Sequence, residues 1–411
     1  MLHDTCAMMH SQLPLSESDV VVSYLPLSHI AASCIDLFQS VYCGGRVHFA
    51  DADALKGSLK NTLLAANPTL FFGVPRVWEK MKTAMAAKAE ATYAEAGAKS
   101  KGKEKLLRGI GAWCKRAGGK YNVPGRGVAW PWVSAAYAVA RVLAFKKVRK
   151  GLGLTRAWAC FTGAAPLGAD VAAYFRSVDI CLLEVYGMSE SCGALAVCGP
   201  ERDERRPEGS CGKALPGLDV RVAEDGEITV AGTNVMPGYL GNAAATAEAL
   251  AGGVLHTGDV GVIDENGFVT ITGRKKDIII TAGGENVAPS PIEFALLAQI
   301  GPKASHVIVL GDRQRFLSAL VSPAETGPAP TVEEVETAVA AYNISDAKSR
   351  AQRVNAFRIL PRTLSEDHGE LTPTQKVKRN VVMQNCEAQI KDIYEGPSQA
   401  GVPPVPSSAF S

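Results

Sequence analysis

The sequence predicts a large α/β domain, a mostly parallel sheet with a small antiparallel β-structure, followed by a small α+β domain at the C-terminal side. Three observations carry this reading. Runs of β-branched and aromatic residues alternate with helical sequence in the first half. Short strands separated by Gly-bearing turns fill Gly209 to Gly273. A third texture, with a helix, two strands and further helices, begins after Arg274. The 411 residues, 47% hydrophobic and 20% charged, are enough for roughly two to three domains.

Taken in order, "DVVVSYLPL", "GRVHFA" and "TLFFGVP" read as buried strands, each followed by helical sequence. Ala, Lys and Glu from Trp78 to about Lys105 predict a long polar helix or helix pair. Gly109 to Arg126, rich in Gly and basic residues, reads as a mobile connection. "WVSAAYAVARVLAF" holds Arg141 and runs into the basic "KKVRK"; it reads as a core helix with a basic end, with a helix lying on a membrane surface as the alternative. The apolar "VDICLL" is a further strand. "LDVRVAEDGEITVAG" and "GVIDENGFVTITG" are hairpins turning at "EDGE" and "DENG". The strands "SHVIVLGD" and "RFLSALVSP", with helices over Thr331 to Tyr342 and Asp346 to Asn355, build the small domain. The boundaries expected are 1–274 for the large domain, 275–396 for the small one, and a disordered Pro/Ser-rich tail over 397–411.

A formal net charge of +2 gives no case for a nucleic-acid partner, and the local clusters "KSKGKEK" and "KKVRK" read as solvated helix faces or linkers. Ten cysteines without a C-x-x-C pair suit a reduced, intracellular protein. The N-terminal "MLHDTCAMMH" has neither the charged start nor the apolar stretch of a signal peptide. No run reaches the ~18 to 20 apolar residues of a membrane span.

Four loops at strand ends carry chemical groups: "TGAAPL" (Thr162 to Leu167), "EVYGMSE" (Glu184 to Glu190), "HTGDVG" (His256 to Gly261) and "GRKKDIIITAGGENV" (Gly273 to Val287). Singly, each has an ordinary explanation: Tyr186 packs, Asp259 caps a turn, Arg274 pairs with any carboxylate. Their order, ending in the late lysine of "LTPTQKVKR" (Leu371 to Arg379), is not explained that way.

With these motifs the chain resembles the adenylate-forming, or AMP-binding, superfamily of acyl-CoA synthetases, firefly luciferase and peptide-synthetase adenylation domains. Within it, "YLPLSHIA", "FFGVPRVWEKM", "FTGAAPL", "GKALPG", "NVMPGYLGN", "ITGRKKDIIITAGGENVAPSPIE" and "VLGDRQRFLSALV" are similar to long-chain acyl-CoA synthetases of the bubblegum type. The resemblance runs to about Glu395 and implies an acyl-CoA synthetase/luciferase-like fold. It implies a long-chain fatty acid–CoA ligase that forms an acyl-adenylate from ATP and then transfers the acyl group to coenzyme A. An aryl or short-chain acid–CoA ligase and a non-catalytic nucleotide- or lipid-binding chain are the alternatives. The expected location is the cytoplasm or the cytosolic face of the endoplasmic reticulum membrane, with peripheral membrane association.

By position in those motifs the resemblance implies a set of roles: Tyr186 to stack on adenine, Gly163, Ala164 and Ala165 to line its other face, and Glu184 and Gly187 to complete the nucleotide-binding set. Asp259 takes the ribose hydroxyls, assisted by Arg274. Ser189 contacts phosphate and Glu190 holds Mg²⁺, which prefers one or two carboxylates plus phosphate oxygens. Lys376 bridges the acyl carboxylate and the α-phosphate during adenylation, as a mobile point charge can; Lys378 and Arg379 are read as surface residues. Lys276 is the hinge of a domain rotation that exchanges the two half-reactions. Gly283 and Gly284 let the pantetheine arm of coenzyme A pass close to backbone. His29 and Trp78 are the acyl-binding candidates, with an ordinary core aromatic as the alternative reading of Trp78. One family element is not found in the 411 residues: the Ser/Thr/Gly-rich phosphate loop ending in Gly-Lys. Since such a loop holds the β- and γ-phosphates, the expectation is of an N-terminally incomplete large domain and weak adenylation by this chain.

Overall fold

The computed structural model describes residues 1–123, 130–199, 206–325, 327–372 and 375–395, so the tail expected over 397–411 lies outside the described residues. By their internal contacts the residues divide into two units. One holds 1–257 with 261–271, the other 258–260 with 272 onward.

In the first unit the apolar runs become β1 (Val20–Ser23), β2 (Arg46–Phe49), β3 (Leu70–Gly73), β4 (Ala159–Gly163), β5 (Leu182–Met188), β6 (Gly193–Val197) and β7 (Lys213–Ala214). β1 and β2 pair in parallel, Val20 opposite Arg46. A five-stranded sheet has the order β3-β4-β5-β6-β7. Its first three strands are parallel, and β6 and β7 run antiparallel to their neighbours. Every residue of β3, β4 and β6 is buried, which is why these strands read as continuous apolar runs rather than as alternation. Phe71, Trp78, Phe145, Phe161 and Phe175 are fully enclosed within the core beside this sheet.

The polar stretch after β3 is a helix pair, Pro75–Lys99 and Lys101–Tyr121, broken at the extended Ser100 (φ −168°, ψ 125°). The connection expected from Gly109 is therefore helical as far as Tyr121. Two of its glycines, Gly111 and Gly118, are close-approach sites. A Cβ on Gly118 would stand 2.3 Å from the Ser177 carbonyl oxygen, and one on Gly111 would stand 2.4 Å from the Tyr93 hydroxyl. Arg126, the expected end of that connection, lies outside the described residues. The "WVSAAYAVARVLAF" segment is likewise not a core helix. Pro131–Ala140 runs through a wide turn, Arg141–Phe145, into Lys146–Leu152. Ala140 and Phe145 are enclosed, whereas Trp132, Val139, Val142 and Leu143 are exposed.

The hairpins form as expected: β8 (Asp219–Val222) with β9 (Glu227–Ala231), and β10 (Leu255–Ile263) with β11 (Val269–Arg274), in the sheet order β11-β10-β9-β8. In the second unit, β12 (Ile279–Ile280) and β13 (Asn286–Val287) make a short antiparallel pair. The helix Pro289–Ile300 precedes β14 (Ala304–Leu310) and β15 (Leu317–Pro323), which are antiparallel. The helix Val332–Ser345 opens on a capping box in which Thr331 Oγ1 accepts from the Glu334 N–H and the Glu334 carboxylate accepts from the Thr331 N–H. The second helix expected, Asp346 to Asn355, reduces to the single turn Arg350–Gln352. Val354 and Asn355 instead start β16 (Val354–Ile359), which pairs in parallel with β15. The helices Arg379–Asn385 and Glu387–Glu395 follow.

Candidate active site

In the first unit the candidate nucleotide residues gather at the ends of β4 and β5, because Thr162 and Gly163 are in register with Glu184 and Val185. Gly163 cannot be larger: a Cβ there would lie 2.6 Å from the Val185 carbonyl oxygen. Ala164 follows with φ +69°, a left-handed conformation that costs a non-glycine residue about 1 kcal/mol or more, and it turns the loop toward Ala165. Thr162 is 1% exposed, and its hydroxyl has no hydrogen-bond partner among the described residues.

Burial pushes the Glu184 carboxyl up to about 7, against the opposing charge of Arg206. Tyr186 is buried beside Leu195, Ala196 and Ile228. Gly187 marks a bulge where β5 and β6 come closest; a Cβ there would stand 2.1 Å from the Gly193 carbonyl oxygen. Ser189, exposed, and Glu190 then lie in the single turn Ser189–Ser191. That turn is held by the buried Ser191 hydroxyl, which donates to the Gly193 carbonyl at 2.8 Å. Tyr239 donates its hydroxyl to Glu190 Oε1 at 2.8 Å, and the Met236 N–H donates to the Glu190 carbonyl at 2.8 Å. Both partners come from "NVMPGYLGN", a motif quoted above without a role for its tyrosine.

In the second unit three more candidates meet. Gly258, at φ +70°, turns β10 so that Asp259 lies buried, with Arg274 Nε 3.2 Å from its Oδ1. Lys376 comes within electrostatic reach of both. Partial burial lowers its pKa first and the Arg274 charge lowers it further, while Asp259 works in the other direction. The loop that presents it is a small hairpin: Leu371 bridges Val377, the Thr372 N–H donates to the Lys376 carbonyl at 2.9 Å, and the Lys376 N–H donates to Thr372 Oγ1 at 3.0 Å.

That hairpin is anchored by Glu370, which is fully buried. Its carboxylate accepts two hydrogen bonds from Arg362, each 2.7 Å, and one from Asn385 at 3.0 Å. The Arg362 guanidinium holds it down at about 2. Lys378 is exposed as expected, but Arg379 is not a surface residue. It pairs with Glu293 at 2.5 Å and donates to the Val309 carbonyl at 2.7 Å, and only 19% of its side chain is exposed.

The remaining candidates are more scattered. Lys276 is exposed in the turn Lys275–Asp277 directly after β11. Gly283 and Gly284 form the exposed β12–β13 turn, where Gly284 has φ +79° and a Cβ would meet nothing within 4 Å. His29 is half-buried, its Nδ1 accepting from the Ala31 N–H at 3.2 Å. Trp78 is completely enclosed. Its indole N–H donates to the Gly73 carbonyl at 2.9 Å and the Phe161 carbonyl at 3.2 Å, and its ring meets Phe71 and Phe175 edge-on. As placed it is a core aromatic joining β3 to β4. Among the described residues no three His, Cys, Asp or Glu side chains cluster as a metal site.

Comparison with known proteins gives the family and the fold. A family model described as AMP-binding enzyme matches residues 1–240, and one described as AMP-binding enzyme C-terminal domain matches 276–398. The chain is 40% identical to the long-chain-fatty-acid–CoA ligase ACSBG2 of Xenopus laevis, over 94% of this chain and 55% of that protein. It is 36% identical to the long-chain-fatty-acid–CoA ligase FadD15 of Mycobacterium bovis, over 92% of this chain and 63% of that one. The chain thus spans a little over half the length of these curated relatives. In fold it is similar to the anthranilate CoA ligase AuaEII in complex with anthranoyl-AMP, with a TM-score of 0.66 at 16% identity, covering 95% of this chain and 64% of that one. It is also similar to ATP-bound MatB from Rhodopseudomonas palustris, with a TM-score of 0.62 at 22% identity, covering 96% and 64%.

Proposed function

Because the chain belongs to the AMP-binding enzyme family, we propose that it serves a long-chain fatty acid–CoA ligase reaction. In the first half-reaction a fatty acid carboxylate attacks the α-phosphate of ATP, forming an acyl-adenylate and releasing pyrophosphate. In the second, the thiol of coenzyme A attacks the acyl carbon and AMP leaves. The acyl class comes from the names of the relatives. The observation that carries the chemistry is the approach of Lys376 to the Asp259–Arg274 pair.

The first half-reaction brings a carboxylate up to a polyphosphate, so the obstacle is negative charge. A partly desolvated ammonium acts on such charge more strongly than a solvated one. Asp259, held in place by Arg274, would accept from the ribose hydroxyls and so set where the α-phosphate lies relative to Lys376. Tyr186, Gly163, Ala164 and Ala165 would receive the adenine, with Glu184 and Gly187 framing that end of β5 and Ser189 reaching phosphate. The Thr162 hydroxyl, without a partner among the described residues, supplies unspent hydrogen-bonding capacity there.

Glu190 fits Mg²⁺ as a single carboxylate completed by water and phosphate oxygens. Tyr239 engages its Oε1, leaving Oε2 without a partner among the described residues. When bound, Mg²⁺ supplies charge neutralisation to the leaving pyrophosphate. For the second half-reaction the open Gly283–Gly284 turn would admit the pantetheine arm, with Lys276 as the pivot. His29 and Trp78 remain the acyl-side candidates, although Trp78 as placed is fully enclosed with its indole N–H spent on two carbonyls. Palmitate-dependent exchange of labelled pyrophosphate into ATP by the full-length protein tests the reading. Exchange driven by an aryl acid and not by palmitate would replace the acyl class.

A further inference from the structure

Thirteen of the chain's 43 lysines and arginines stand between Lys101 and Lys150, but only one of its 41 acids, Glu104. Fifty residues therefore carry +12 in a chain whose total is +2. Most of them lie in the helix Lys101–Tyr121 and the continuous helical segment from Pro131 to Leu152 packed beside it. The one acid is taken up by Arg108, whose guanidinium also reaches Glu90.

The outer faces of these helices are not what a solvated surface presents. Leu106, Ile110 and Trp113 recur at helical spacing as a single stripe, 62%, 38% and 38% exposed. Leu143 of the second helix joins them around one shallow depression. Along that second helix Trp132, Val139 and Val142 are 66%, 50% and 63% exposed. Trp132 stacks on the equally exposed Trp130 with ring centroids 4.9 Å apart. The same helix continues into Lys146, Lys147 and Lys150, all exposed.

We infer that this pair of helices is a docking surface for an anionic lipid bilayer. A protein partner or a second copy of the chain would explain the apolar stripe but not a +12 charge around it. A nucleic acid would explain the charge but leave Leu106, Ile110 and Val142 in water. An interfacial surface explains both. Apolar side chains enter the acyl boundary, tryptophans sit at headgroup level, and lysines meet anionic headgroups. No helix among the described residues is long and apolar enough to cross a membrane, so the contact is one of lying on the surface.

The test is flotation of the full-length protein with vesicles of phosphatidylcholine alone or with phosphatidylglycerol added, and it does not depend on the proposed activity. Binding is expected to the anionic vesicles, reversed by high salt and accompanied by a blue shift of tryptophan emission. Lys146→Gln, Lys147→Gln and Lys150→Gln together should weaken it about a hundredfold, at about 1 kcal/mol per lysine. Trp132→Ser should weaken it at least tenfold, with far-UV circular dichroism unchanged. Indifference to lipid charge, or no binding, overturns the inference. So does a Trp132→Ser protein that turns from oligomer to monomer with its vesicle binding intact, or the basic helices releasing vesicles in favour of single-stranded nucleic acid.

Discussion

Lys376 is presented by the backbone hydrogen bonds of its hairpin, so its removal tests chemistry more than folding. Lys376→Ala should lower palmitate-dependent pyrophosphate release by about 10²- to 10³-fold, the scale for losing one charge-stabilising group. Thioester formation from supplied palmitoyl-adenylate should change little; equal loss in both assays would make the residue structural. Trp78→Ala is the contrasting case. Deleting an enclosed indole with two carbonyl partners should cost about 3–5 kcal/mol of stability in urea unfolding, whatever the activity does. Lys376, Asp259 and Arg274 were legible in the sequence because each sits in a contiguous motif. Tyr239, the partner of Glu190 across 49 positions, was not. Nor was Arg362, whose value lies in a carboxylate that only folding buries.

At the scale of elements, that carboxylate decides where the Lys376 hairpin stands. Arg362→Ala leaves the buried Glu370 carboxylate with only the Asn385 amide and the Ser365 N–H as donors and should cost on the order of 3 kcal/mol, with adenylation falling alongside. The sign with pH is fixed: a folded-state value of about 2 lies below the ordinary carboxylate range, so this stabilisation is present at neutral pH and fades as pH falls toward 2. Asp36, buried in the wide-turned helix Ala32–Phe38, works the other way. Burial raises it to about 7, so the folded state holds its proton longer than the unfolded one and stability declines as pH rises from about 4 to 7. Thermal melts of Asp36→Asn should therefore gain on the unsubstituted protein across that interval and run parallel to it above. Two of the elements misread, the glycine-bearing helix and β16, fail for related reasons. Gly118 is selected by the closeness of Ser177, and "VNAFRI" becomes a strand because β15 offers it an edge. Both causes lie far away in sequence, where local pattern cannot see them.

For the whole molecule, the fold class was legible because alternation of strands and helices, then hairpins, then a mixed module are successive textures along one chain. The charge distribution was not, because a total of +2 averages a basic stretch of fifty residues over an acidic remainder of the 411. The helices that carry it were read by composition, and composition does not say which face is turned outward. If the basic helices dock on anionic vesicles as inferred, stopped-flow association should slow steeply between low and high salt, while dissociation, set by the apolar stripe, should change far less.

The concentration of +12 on fifty residues gives the Lys101–Lys150 stretch a strong local positive field. Within a Debye length of a charged surface, about 8 Å at physiological salt, a molecule charged in this way feels a torque before it feels a contact. It would arrive already turned, Trp130 and Trp132 leading, so that few collisions are spent searching for the right face.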